Sequence, residues 1–231
     1  MHLTPLGHAS CHLSVADLDI VIDPFWTGCP THPEGFEQGL GKLDVIVLTH
    51  GHNDHVADAA RLAQKYGALC FATYELANWL KSQGAEKIEP MGIGGTVAGP
   101  NGISVTFTQA LHSSSFTGSD GSQSYTGVAA GTVIKTPEGN VYHAGDTDVF
   151  SDMALIQQLH GPRVGLLPIG DRFTMGVDGA ALACNEFLDL EHIIPIHWGT
   201  FPLLTGDPAA FKAKVTRGTV HVLQPGQTLT V

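Results

Sequence analysis

The stretch Val45-Ile46-Val47-Leu48-Thr49-His50-Gly51-His52-Asn53-Asp54-His55 decides how this chain is read. An apolar run leads directly into three imidazoles and one carboxylate, His50 to His55. The run itself reads as a buried strand. A strand ending in such a cluster fixes the backbone at the rim of a sheet and leaves the side-chain tips free. His50 and His52, two apart, can point the same way from an extended segment. Asp54 and His55 come one step later and can face a second ion close by. Imidazole and carboxylate are ligands for borderline divalent ions such as zinc, iron, manganese and nickel. In a core, each of these polar groups would need its own partner. The cluster therefore reads as a metal site rather than as a solvated turn.

A two-metal site built on this cluster still lacks an imidazole for each ion and a carboxylate able to touch both. Three segments offer them, each a β-rich run that ends in a ligand. Thr106-Phe107-Thr108-Gln109-Ala110-Leu111 ends in His112, Val141-Tyr142-His143-Ala144-Gly145 delivers Asp146, and Ile193-Ile194-Pro195-Ile196 ends in His197. Singly, a histidine after a strand is more often structural; together with the first cluster they complete a set.

The order His50-x-His52-x-Asp54-His55, then His112, Asp146 and His197, resembles the metallo-β-lactamase superfamily of metal-dependent hydrolases. Within it the chain is similar to a bacterial family described only as metal-dependent hydrolases, close to L-ascorbate-6-phosphate lactonase. The matching stretches include Leu6-Gly7-His8-Ala9, Ile22-Asp23-Pro24-Phe25, Leu167-Pro168-Ile169-Gly170, Phe173-Thr174-Met175-Gly176 and His197-Trp198-Gly199-Thr200. The resemblance implies an α/β fold, an αββα sandwich with the metal site at the edge of its two sheets. It implies two divalent ions, zinc first, with manganese, iron or nickel as alternatives. His50, His52 and His112 would hold one ion, Asp54, His55 and His197 the other, and Asp146 would bridge them. Asp54 would also orient the attacking water and move a proton. Asp23 reads as an acceptor that orients an imidazole, His143 as a packing residue, and His8 as a residue that lines the site. The fold also hosts a mononuclear iron dioxygenase with an overlapping ligand pattern, and a binding protein without catalysis is the other rival. Di-iron members tend to place Glu at the position of His52, and all seven ligands are intact here. No Gly-x-Ser-x-Gly nucleophile motif competes. Metal-assisted hydrolysis of a small ester, lactone or phosphoester is the expectation.

Composition agrees. The chain has 231 residues, 43% hydrophobic and only 14% charged, enough for one large domain with a substantial core, read as residues 1–231. Its 22 acidic and 11 basic residues give a net charge of −11. No Lys/Arg cluster exists to neutralise phosphates, so nucleic acid is not an expected partner. A small molecule is the expected one, and a homo-oligomer is compatible with the sequence. Cys11, Cys29, Cys70 and Cys184 lack a CxxC pair and read as reduced thiols. The first residues show no secretory pattern, and no apolar run approaches the ~20 residues of a membrane span. A soluble cytoplasmic protein is expected.

Along the chain, strand and helix signals alternate. Ile20-Val21-Ile22, Cys70-Phe71-Ala72, Ile103–Phe107, Val128–Lys135, Val164–Leu167 and His192–Ile194 read as strands. Helical spacing covers Val56–Tyr66, with Gly67 as C-cap, and recurs near Glu75–Ser82, Met153–Leu159 and Ala180–Leu188. Val220–Leu223 and Leu229–Val231, across Pro225-Gly226, read as a terminal hairpin. The Gly/Ser-rich segment Ser113–Gly127 reads as an irregular loop beside the metals. A pocket edged by Phe173, Met175, Trp198 and Phe201, with Arg172 as its cation, would suit a small substrate with an apolar part.

Overall fold

Ile20 and Ile22 point to one side of their strand and Val21 to the other, and all three are buried. The same holds for Val45 and Val47 against Ile46, and for Ile194 and Ile196 against Ile193. Strands apolar on both faces belong in sheets covered on both sides. The computed structural model, which describes residues 1–231, is built that way.

The first sheet comprises β1 (His2–Gly7), β2 (Ser10–Val15), β3 (Leu18–Ile22), β4 (Val45–Val47), β5 (Leu69–Thr73), β6 (Ile88–Met91) and the last strand, β16 (Leu229–Thr230). Their order is β16-β1-β2-β3-β4-β5-β6. The second comprises β7 (Thr96–Ala98), β8 (Ser104–Gln109), β11 (Ala130–Thr136), β12 (Gly139–His143), β13 (Val164–Pro168), β14 (His192–Ile196) and β15 (Thr219–Val220). Here the order is β15-β14-β13-β12-β11-β8-β7. Between the sheets lies a core that includes Leu13, Ile22, Val47, Phe71, Phe107, Ile134, Leu166 and Ile194.

Short α1 (Phe36–Gly39) and α2 (Asn53–Val56), then α3 (Ala59–Tyr66) and α4 (Tyr74–Ser82), lie in the first half of the chain. Leu62, Leu76 and Leu80 of α3 and α4 cover the outer face of the first sheet, against Val21, Ile46 and Cys70. Helices α5 (Met153–His160), α6 (Val177–Leu182) and α7 (Pro208–Lys214) cover the second through Met153, Ile156, Ala180 and Phe211, against Tyr142, Leu167 and Ile193. The result is the expected four-layer αββα sandwich. No helix is long and apolar enough to cross a membrane.

Three local expectations are corrected. The helix expected over 56–66 breaks at Asp58, because its carboxylate turns back to accept from Trp26 N, Thr27 N and the Thr27 hydroxyl. Helix α3 still ends at Gly67, in the left-handed conformation a C-cap needs. The expected terminal hairpin does not form: Thr219–Val220 pairs with β14 of one sheet and Leu229–Thr230 with β1 of the other. Between them the chain crosses the edge of the sandwich, where Gly226 N donates to Pro5 O. Finally, Ser113–Gly127 is not irregular throughout. It forms a hairpin of β9 (Ser115–Thr117) and β10 (Gln123–Tyr125), stacked through Phe116 on Trp79 of α4.

Candidate metal centre

Each loop that carries a candidate ligand leaves the end of a strand at one edge of the sandwich: His50 after β4, His112 after β8, Asp146 after β12 and His197 directly after β14. Two glycines make the close approach feasible. A Cβ on Gly51 would collide with the Thr126 hydroxyl, so only glycine lets His50 and His52 flank that point. Gly145 holds φ +63°, where its absent Cβ would stand 2.7 Å from Ala130 O, and it turns Asp146 inward. The neighbouring Asp148 is exposed, and Asp152 heads helix α5, so of these three Asp146 alone faces the imidazoles.

The seven expected residues meet in two adjoining groups. In one, His52 Nδ1 lies 3.0 Å from His50 Nε2 and 3.3 Å from His112 Nε2. In the other, Asp54, His55 and His197 converge together with His8. Asp146 stands between them, with His55 Nε2 at 3.4 Å from Oδ1 and His197 Nε2 at 3.1 Å from Oδ2. The same Oδ2 is 3.6 Å from His112 Nε2 and 3.9 Å from His50 Nε2.

A metal ion suits this arrangement by a direct test. His55 Nε2, His197 Nε2 and Asp146 Oδ1 are buried and none makes a hydrogen bond to protein. Buried polar atoms are rarely left so. Zinc–nitrogen bonds of ~2.0–2.1 Å place tetrahedral ligand atoms about 3.3 Å apart, which is the spacing seen within the first group and from Asp146 to His55 and His197.

The candidate ligands are held by partners of their own. Asp23, fully buried, accepts at Oδ1 from Thr49 N at 2.8 Å and at Oδ2 from the Thr49 hydroxyl at 2.6 Å. Oδ2 also accepts from His55 Nδ1 at 2.8 Å. This leaves the His55 Nε2 lone pair for the centre. The Thr49 hydroxyl lies 3.1 Å from His50 Nδ1, so a second chain, His50 Nδ1–H to Thr49 Oγ to Asp23, orients the first group. Gly51 N donates to Ser114 Oγ, and Asn53 exchanges two hydrogen bonds with Thr117, pinning the β9–β10 hairpin to the ligand loop. His143 is buried beside the site, bonded to Ala9 O, and is a packing residue as expected.

Charge is arranged for cation binding. Burial, reinforced by the other imidazoles, holds His50 well below its ordinary pKa, and burial also lowers His52 and His112. These imidazoles therefore present lone pairs at neutral pH. Burial disfavours the Asp146 anion, but His55 and His197 outweigh it and hold its pKa far below the carboxylate range. Burial likewise opposes charge on His55, yet Asp146 and Asp23 on either side raise its pKa well above the ordinary value. A bound cation would take over that role and release the proton.

The expected apolar pocket is only partly present. Met175 is buried in the outer core and Trp198 packs against it, its indole N–H donating to Pro195 O. Phe173 and Phe201 are exposed, as are Leu111 and Leu203. Sequence reasoning did not find Thr49, although a hydroxyl directly before His50 was a readable signal. Nor did it find Ser114 and Thr126, whose role depends on a hairpin distant in sequence.

Comparison with known proteins fits this geometry. Residues 19–198 match the family model described as the β-lactamase superfamily domain. The chain is 44% identical over 236 residues to a "UPF0173 metal-dependent hydrolase" of Mesorhizobium japonicum, covering 100% of both chains. It is 46% identical over 237 residues to another of that description from Agrobacterium fabrum, covering 99% of each. Among solved structures, Igni18, described as a novel metallo hydrolase from the archaeon Ignicoccus hospitalis, superimposes with a TM-score of 0.88 at 36% identity. That match covers 99% of this chain and 97% of Igni18. The chain thus belongs to the β-lactamase superfamily, in its UPF0173 metal-dependent hydrolase family.

Proposed function

We propose that the protein is a two-metal hydrolase of small esters, lactones or phosphoesters, with zinc as the first-choice ion. His50, His52 and His112 would hold one ion, Asp54, His55 and His197 the other, with Asp146 available to both. One observation carries this reading: the buried, unpartnered atoms of His55, His197 and Asp146 converge beside a trio of imidazole nitrogens. When bound, such an ion pair supplies Lewis acidity and brings the pKa of water to ~7.

The chain's own groups do the rest. Asp54 keeps 35% of its side chain accessible, against 3% for Asp146, so it is the carboxylate that can meet substrate. Burial works against its charge, but the hydrogen bond from His8 and the charge of His55 outweigh this and keep it ionised. An ionised carboxylate at the mouth accepts the proton from attacking water and returns it to the leaving group.

The mouth also suggests what is bound. The turn Asp171–Thr174 is tied to the ligand loops: Met175 N donates to Thr147 O, and Ile169 N to Ile196 O. Asp171 and Arg172 both hold left-handed backbone, φ +64° and +53°, a conformation costly outside glycine and often kept at functional sites. Six of the 11 basic residues are engaged in ion pairs, whereas Arg172 is free and exposed. Arg172 would pair with a carboxylate or phosphate of the substrate, and Phe173, Phe201 and Leu203 would face its apolar part. The net charge of −11 opposes long polyanions.

The test is a hydrolysis screen over lactones, thioesters, phosphodiesters and amides with protein of measured metal content. Turnover of a small ester, lactone or phosphoester that is lost in Asp54→Asn supports the reading. Efficient cleavage of a structured RNA with no small-ester activity reverses it.

A further inference from the structure

His8 belongs to neither group of expected ligands, yet it touches the second at three points. Its side chain is fully buried, and its Nε2 lies 3.0 Å from Asp54 Oδ2. Its ring centroid is 4.0 Å from that of His197. Its carbonyl accepts from His197 N at 2.9 Å, across from the end of β1 in one sheet to the end of β14 in the other. Phe25 and Phe201 pack edge-on against the same ring. The residue holds φ +55° in the turn between β1 and β2, a backbone conformation unfavourable for a residue with a Cβ.

We propose that His8 is a positioning residue for the second metal position, fixing the Asp54 carboxylate with its Nε2–H while its ring and carbonyl fix His197. The proposal rests on the two-ion reading above. With Nε2 donating to one Asp54 oxygen, the other oxygen is left to face the centre. Without that donor the carboxylate, one-third accessible, is free to turn to solvent. An ion at the second position would then lose a defined oxygen ligand, whereas His50, His52 and His112, which His8 does not bond, would keep the first. Partners of this kind typically contribute 10–100-fold in metal affinity.

The experiment uses two variants and a readout independent of turnover. His8→Phe keeps a ring against His197, Phe25 and Phe201 but has no donor, and His8→Gln restores an N–H donor. Metal-free protein is titrated with zinc in competition with a chromophoric chelator, resolving both binding steps. The cobalt(II)-loaded forms are compared by visible absorption. His8→Phe should weaken the second ion at least tenfold, leave the first within about threefold and alter the cobalt spectrum; His8→Gln should recover most of the second-ion affinity. Equal affinities in His8→Phe and the parent chain, equal losses at both ions, or no recovery with Gln would each overturn the proposal alone. Should His8→Phe not fold, His8→Gln compared with His8→Leu decides the same question. A parent chain that holds only one ion removes the two-ion reading and this proposal with it.

Discussion

Asp23→Asn is the smallest change that tests how the centre is built, because it swaps one oxygen for an amide nitrogen at constant shape. The carboxylate accepts three hydrogen bonds in a fully buried position, from Thr49 N, the Thr49 hydroxyl and His55 Nδ1. If the new NH2 takes the place of Oδ1, it confronts the Thr49 N–H, and one buried donor loses its acceptor. If it takes the place of Oδ2, the Thr49 hydroxyl and His55 Nδ1 must both become acceptors. His55 would then carry its proton on Nε2, the atom aimed at the centre. A buried donor without an acceptor costs about 1–3 kcal/mol. For a chain of this size that lowers Tm by roughly 2–12 °C, measurable on the metal-free protein by circular dichroism. The wrong tautomer, or a freely turning ring, should weaken the ion held by His55 about 10–100-fold in a chelator competition. The ion held by His50 should lose less, since its path to Asp23 runs through Thr49. Metal affinity and Tm both unchanged in Asp23→Asn would refute the claim that Asp23 sets the imidazole orientation.

Further expectations concern the ligand loop, the proton balance and the active carboxylate. Gly51→Ala forces the loop away from Thr126, which should destabilise the protein by about 1–3 kcal/mol and weaken the His50 site. Gly51→Ala combined with Thr126→Ala should recover part of the melting temperature, and no recovery would locate the strain elsewhere. Burial lowers the pKa of His50, His52, His112 and His143, and of His8 to about 4. The unfolded chain takes up these protons below about 6.5 while the folded one does not. The stability of the metal-free protein is therefore whole above that pH and falls as pH drops toward 4. His55 acts in the opposite sense, contributing below about 6.5 and losing that contribution as pH rises through its elevated pKa. Melts in EDTA from pH 8 to 5 should show a net fall toward acid; a rise would mean that His55 dominates. Asp54→Asn should lower turnover of any substrate found in the screen by ~10²–10⁴-fold with the melting temperature nearly unchanged, and near-normal turnover would remove its proton-handling role.

Four of the seven candidate ligands were legible because their spacing is local. His50 to His55 lie on one strand end and the single turn of α2, so nearest-neighbour geometry suffices to bring them together. His112, Asp146 and His197 were legible only as strand ends within a family pattern; no periodicity says that β8, β12 and β14 finish at the same edge. The unbroken apolar runs Ile20–Ile22 and Val45–Val47 marked strands buried on both faces, whereas the sandwich itself followed only from the family resemblance. What escaped depends on partners far away in the chain. Val220 and Leu229 read as one hairpin because their pattern is the same whichever sheet they join. The break before Ala59 comes from Asp58 bonding the 26–27 loop, which helical spacing does not register. Met175 reads as a pocket wall in the sequence because an apolar residue near a candidate ligand has the same letter whether it faces the mouth or the outer core.

The central claim is that seven residues hold two ions, and metal counting tests it most directly. Metal-free protein reconstituted with zinc and freed of excess by gel filtration should contain close to two ions per chain by elemental mass spectrometry. His50→Ala and His197→Ala should each leave about one, lost from different sites. One tight ion per chain, with His197→Ala changing neither metal content nor activity, would contradict the account.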